Sequence, residues 1–188
     1  MKHSFLLKAS ACLLALGLLG GCSVYESIAN YLNSDRKEKC PDAVVLVAAA
    51  TLPAFDPAKE ADPTSLIYNA TLTQSSLDCD YRSKQNKARS EIKLHFDVSR
   101  PAGGAKATYR VPYFVALTTN GRVLDKQIYW QEVEFPVGVS HVTADADIDD
   151  VQLKPSRGKK PISYHYVVGF QLTQAQIDYL KKMGQYEP

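Results

Sequence analysis

The chain has 188 residues, 45% hydrophobic and 22% charged, with ten glycines and ten prolines. That composition suits one ordinary globular domain with a segment to spare and excludes collagen-like repetition and wholesale disorder. The formal charge of +2 comes from Lys2 and Lys8; without them twenty basic residues face twenty acidic ones, which is not the electrostatic footprint of a nucleic-acid binder.

Residues 1–22 read as a secretory signal. Lys2 and Lys8 supply positive charge, Ala9 to Leu19 an apolar run of about 11 residues, and Gly20 and Gly21 the small residues before Cys22; the run is too short to span a bilayer. Leu19-Gly20-Gly21-Cys22 resembles the lipobox of bacterial lipoproteins. The resemblance implies that Cys22 receives a diacylglycerol and that residues 1–21 are cleaved away, leaving acylated Cys22 as the first residue. Ser23 follows, and a non-aspartate there implies the outer membrane, facing the periplasm, with the inner membrane as the alternative. The alternatives are an ordinary signal peptide with a coincidental cysteine or a buried apolar helix, and the whole pattern speaks against both.

From Cys22 to Lys39 the chain turns polar and ends in Ser34-Asp35-Arg36-Lys37-Glu38-Lys39, as a tether between lipid and domain would. Val24, Ile28, Tyr31 and Leu32 fall at helical spacing, so a short amphipathic turn against membrane or partner competes with a plain linker. Cys12 leaves with the signal and Cys22 takes the lipid, so Cys40 and Cys79 remain. An oxidising periplasm predicts a disulfide between them, against the alternative of two buried thiols.

Beyond Cys40 the prevailing period is two. Strands are predicted at 43–49, 65–73 and 91–98, the last with Ile92, Leu94, Phe96 and Val98 on one face and Glu91, Lys93, His95 and Asp97 on the other. Asn120-Gly121 is a type I′ hairpin signal. Pairing outward from it sets Leu117 opposite Leu124, Tyr113 opposite Ile128 and Val111 opposite Trp130, three apolar pairs. Val115 opposite Lys126 breaks the pattern and Pro112 lacks a ladder donor, so an edge or a bulge is expected here. Separate strands are predicted around Val133, Phe135 and Val137, from Val142 to Ile148, and from Tyr164 to Leu172. Seven or eight strands in this span predict an all-β, antiparallel, immunoglobulin-like sandwich over residues 40–188, with a small barrel as runner-up.

The chain closes with a helix at about 174–183. Thr173 is its N-cap, Gln176 completes a capping box, Leu172 and Ile177 form a staple, Lys181 and Lys182 meet the dipole and Gly184 ends it. Ile177, Leu180 and Met183 form a stripe expected to dock on the domain. Cys40-Pro41 before an apolar strand, Tyr113-Phe114-Val115-Ala116, and Gly169-Phe170-Gln171-Leu172-Thr173 with Gln176 resemble a group of small uncharacterised alphaproteobacterial lipoproteins. That resemblance implies no activity and no catalytic or binding residue.

Chemistry-bearing residues are few. His95 and Asp97, two apart on one strand, suit a hydrogen-bonded pair, the orienting half of a triad or of a metal ligand. Gly138-Val139-Ser140-His141-Val142 has part of a nucleophile elbow but lacks its second glycine and following helix. Asp145, Asp147, Asp149 and Asp150 alternate as calcium ligands do, but Asp150 and Ser156 stand where an EF-hand needs glycine and glutamate. No metal or catalytic site is therefore assigned; His95, Asp97, Asp145, Asp147 and Asp149 are the residues from which a metal site would be built. Arg82 to Arg110 carries eight basic residues against two acidic ones, and Glu132 to Asp150 six acids and no base. Either opposed patches dock a partner or anionic lipid, or folding intersperses the charges.

The expected function is a membrane-anchored binding or assembly module of the cell envelope, without catalysis or cofactor, that holds an envelope protein. The alternatives are a small-ligand or metal-binding lipoprotein using His95 and Asp97 or the 145–150 segment, and a hydrolase using His95 or His141.

Overall fold

The computed structural model describes residues 40–186; the signal, Cys22 and the tether to Lys39 lie outside the described residues. Eight strands form: β1 (Asp42–Val45), β2 (Thr51–Phe55), β3 (Leu66–Arg82), β4 (Lys87–Ser99), β5 (Ala107–Thr119), β6 (Arg122–Phe135), β7 (His141–Leu153) and β8 (His165–Phe170), followed by helix α1 (Gln174–Lys182). They make two four-stranded sheets, β1-β8-β5-β6 and β2-β3-β4-β7, packed face to face as a sandwich. This strand order is not the ABED and CFG order of an immunoglobulin constant domain, and β1 runs parallel to β8.

Alternation builds the core. On β4, Ile92, Leu94, Phe96 and Val98 point inward and are nearly or wholly buried, while Lys93, His95 and Asp97 point to water. Phe96 spans the sheets, with its ring centroid 5.3 Å from Tyr113 and 6.0 Å from Phe170, geometry that adds to the burial of the rings themselves.

Several strands are longer than the sequence patterns predict, or cut differently. The segment 43–49 is not one strand: β1 ends at Val45, and a 3-10 turn at Val47–Ala49 carries the chain to β2 in the other sheet. Gly169 lets that turn lie on β8, since a Cβ there would stand 2.8 Å from Ala49 Cβ. The pattern around Val133 and Phe135 is no separate strand; it continues β6, which runs unbroken from the hairpin to Phe135. β2, absent from the predicted elements, contains Pro53 and is an edge, where a missing donor is tolerated.

Asn120 and Gly121 take positive φ of 51° and 68°, as a type I′ turn requires, and Thr119 pairs with Arg122. The register then shifts at Leu117 and Thr118: Leu117 faces Asp125, Tyr113 faces Tyr129 and Val111 faces Gln131. All three expected apolar pairs are thus displaced by one residue, with Leu124 as the extra residue of a bulge. The cause lies farther along the ladder. The unshifted register would set Glu132 opposite Tyr109 and Glu134 opposite Ala107, turning two carboxylates toward the core. The shift instead buries Val133 and Phe135 and stacks Tyr129 on Tyr113 at 5.5 Å.

Helix α1 has the expected capping box: Gln176 N donates to Thr173 Oγ1, and Thr173 N donates to Gln176 Oε1 at 2.8 Å. Gln176 Nε2 also donates to Pro53 O at 2.8 Å, and Tyr179 meets Phe55 edge-on at 4.9 Å, so the helix docks on β2. Leu180 is buried, whereas Met183 stays exposed. The expected disulfide joins Cys40, just ahead of β1, to Cys79 on β3 in the opposite sheet, with Cα atoms 6.1 Å apart.

The Cys40→Ala, Cys79→Ala pair should lower unfolding stability by about 4 kcal/mol, the chain-entropy value for a loop of this length, as read by denaturant titration; mass spectrometry without reduction should show the two cysteines joined. Burial pushes the phenols of Tyr113 and Tyr166 from 10.0 up to about 12. The unfolded chain therefore loses these protons first, and stability falls as pH rises from about 10 to about 12. Tyr166 hydroxyl is buried with no partner among the described residues, so Tyr166→Phe should add about 1 kcal/mol and soften the alkaline loss. A steeper loss in the variant would contradict this.

Candidate functional site

The outer face of the β2-β3-β4-β7 sheet gathers the chemistry-bearing residues. Register pairs His95 with Asp145 across β4 and β7, and His95 Nδ1 lies 2.6 Å from Asp145 Oδ1. With a neutral ring, Nδ1 donates to the carboxylate and Nε2 is left as an acceptor. Asp97 is not the partner of His95: its Oδ1 lies 3.7 Å from His141 Nε2. Residues two apart on one strand stand farther from each other than directly paired residues on neighbouring strands, so the expected i, i+2 pair gives way to cross-strand pairs. His165 follows the same rule in the other sheet, its Nδ1 2.5 Å from Asp42 Oδ1 on β1.

Gln74, Ser76, Lys93, His95, Asp145 and Asp147 line an open depression of about 440 Å³ on this face. Lys93 sits opposite Asp147 in register and its ammonium lies 3.0 Å from Glu91. No hydroxyl or thiol is hydrogen-bonded to either nitrogen of His95 among the described residues. The 138–142 segment runs from a turn at Gly138 into strand β7, the reverse of the strand-to-helix elbow. Asp145, Asp147 and Asp149 alternate on the wet face of β7, and Asp150, at φ 54°, receives Arg89 Nε at 2.7 Å. No three His, Cys, Asp or Glu side chains converge to hold a metal among the described residues.

The opposed charge blocks do not become opposed patches. β4 lies beside β7, so Arg89 meets Asp150, and Lys93 and His95 stand opposite Asp147 and Asp145; Lys106, just ahead of β5, pairs with Glu134 on β6. Folding intersperses the two blocks, so each cancels the other locally.

Two features of the fold are not legible as motifs. The first is the free edge at β6, fourteen residues long at the end of its sheet. The bulge turns its apolar residues outward: Val123 is 63% exposed, Leu124 51%, Ile128 51% and Trp130 52%. Arg110 lies over the Trp130 ring at 4.9 Å, and Lys126 over Phe114 at 4.2 Å with Gln171 Oε1 at 2.8 Å. Val44, Leu46 and Val47 are also exposed, near the opposite edge of the same sheet. Grouped apolar exposure of this kind marks interaction surfaces on soluble domains.

The second is Arg100, 8% exposed and without a carboxylate partner among the described residues. Its guanidinium donates to Val139 O (2.9 Å), Ala105 O (2.6 Å), Gly104 O (3.2 Å) and Pro136 O (2.9 Å), and lies 4.7 Å from the Phe135 ring centroid. One cation thereby ties the β4–β5 crossing to the β6–β7 crossing, and five N–H donors in a rigid fork suit the task as an ammonium does not. Gly104 makes room for it: a Cβ there would stand 2.8 Å from Arg100 Cζ. Among the described residues no helix is long and apolar enough to cross a membrane.

Arg100→Lys should cost about 2 kcal/mol or more, because an ammonium cannot remake the several charge-assisted hydrogen bonds of the buried guanidinium, and Gly104→Ala should reproduce part of that loss by displacing the fork. Denaturant unfolding of both variants checks this; unchanged midpoints would mean that the crossings hold without the guanidinium. No family model, no curated protein and no solved structure matches the chain.

Proposed function

We propose that the protein is a lipid-anchored, non-catalytic binding or assembly module of a bacterial cell envelope, tethered through Cys22 to the outer membrane and facing the periplasm. The observation that carries the binding role is β6, a long edge strand with Ile128 and Trp130 exposed at its centre. Native edges of such length are usually covered, charged or broken. The edge at β7 fits that rule with Asp145, Asp147 and Asp149 and the irregular backbone at Asp150, whereas the middle of β6 does not. An edge strand adds a partner's strand through main-chain hydrogen bonds and takes specificity from alternate side chains. The lipobox and the polar tether support the anchoring half of the reading. Residues 23–39, fully extended, would let the domain stand up to roughly 55 Å from the lipid.

The open depression beside His95 and Asp145 favours one alternative, a module that binds a small polar ligand there. It predicts a rise in melting temperature with added ligand or Ca²⁺, Zn²⁺ or Cu²⁺.

Crosslinking of the tagged, lipidated protein in cells should recover one discrete partner, which can be a second copy of the chain. Trp130→Asp should cut that recovery by about tenfold or more, the scale of a lost aromatic anchor. Recovery of nothing beyond the abundant envelope proteins taken by an unrelated lipoprotein contradicts the binding role. Cys22→Ala should abolish membrane fractionation, and a processed variant that still pellets with outer membrane contradicts the lipid anchor.

A further inference from the structure

We propose that the occupant of the β6 edge is the β6 edge of a second copy, paired antiparallel about a two-fold axis at Tyr129. This rests on the binding role proposed above and names its partner. Two identical antiparallel strands can pair only with some residue facing itself, because alternate residues present their N–H and C=O groups to opposite sides. The possible registers are therefore few, and the side chains of β6 discriminate among them.

With Tyr129 facing itself, Ile128 stands opposite Trp130 of the second copy, and Trp130 opposite its Ile128. The four largest exposed apolar groups of the central edge then form one cluster on the outer face of the joined sheet, bordered by the Arg110 guanidinium already lying over Trp130. One step farther out, Lys126 stands opposite Glu132 of the second copy, and this charge pair also occurs twice. Lys126 has donors to give beyond its contact with Gln171, and Glu132 has no ion-pair partner among the described residues. The neighbouring registers fit less well: Ile128 facing itself sets Lys126 against Trp130 and leaves Glu132 without a facing cation, and Trp130 facing itself sets Ile128 against Glu132. Opposite charges and apolar pairs directly across a ladder are stabilising, and like charges there are not. The product is a continuous eight-stranded sheet that closes as a dimer.

Charge reversal tests both the pairing and its register. The full lipidated chain is solubilised in detergent and its mass followed with dilution by analytical ultracentrifugation. The native chain should dimerise; Lys126→Glu and Glu132→Lys should each raise the dimer dissociation constant by about tenfold or more, and the double reversal should restore it. Both sites are exposed, so far-UV circular dichroism should be unchanged in all three variants. For the register, cells carrying an Ile128→Cys chain and a differently tagged Trp130→Cys chain should form a mixed disulfide, with less of either like-with-like product. A native chain that stays monomeric, a double reversal that fails to recover, or preferential like-with-like crosslinking overturns the proposal. Should β6 substitutions still abolish capture of a different envelope protein while the native chain is monomeric, self-pairing falls and the assembly role stands; if neither is affected, both fall.

Discussion

One guanidinium holds the two crossings on which the sandwich closes. At Arg100 the chain leaves β4 for β5 in the other sheet, and at Pro136 to Ser140 it leaves β6 for β7 to return. Arg100 binds both passages through carbonyl oxygens of Gly104, Ala105, Pro136 and Val139, while its own amide donates to Ser140 O at 2.9 Å. Backbone carbonyls at a sheet crossing have no ladder to join, and a buried guanidinium left without acceptors would be costly. A cation satisfied entirely by such carbonyls needs no carboxylate, and the face of Phe135 closes over it. The disulfide does related work at another place, fastening β1 of one sheet to β3 of the other.

The end of β6 fixed near Arg100 sets what the rest of that strand shows to water. Phe135 and Val133 are buried, so alternation turns Tyr129 and Gln131 inward and Trp130 and Ile128 outward. The hairpin turn fixes the other end of the strand. The two ends differ by one residue, and the bulge at Leu124 absorbs the difference. An apolar edge is thus the consequence of burying two apolar residues and keeping Glu132 and Glu134 wet.

Much of this was legible in the residues. Period two from Glu91 to Val98, the Asn120-Gly121 turn, the Thr173 and Gln176 capping box and the Cys40 and Cys79 pair each carry local chemistry that points to one structure, and each forms. The register of β6 was legible in principle. Reading Val133 and Phe135 as the continuation of the hairpin arm, rather than as another strand, makes parity alone turn Trp130 outward. Arg100 carried no such signal, since its partners are backbone oxygens from two loops that only the tertiary fold brings together. The candidate site misled for a similar reason. His95 and Asp97 are neighbours along the strand, but hydrogen bonds in a sheet run across it, to Asp145 and His141.

The charge blocks show the same lesson in energetic form. Runs that look polar in one dimension are folded into alternate rungs of adjacent strands, and exposed pairs of this kind add little stability. Apolar exposure survives folding on β6, and the binding role proposed for this domain rests on that edge. Hydrogen exchange resolved along β6, on the full-length chain as the cell makes it, tests that reading most directly. Residues 124–133 should exchange more slowly in the native chain than in Lys126→Glu, with β7 unchanged between them. Equal and rapid exchange of β6 in both would mean that the edge is open to water in the cell and is not the surface through which the protein binds.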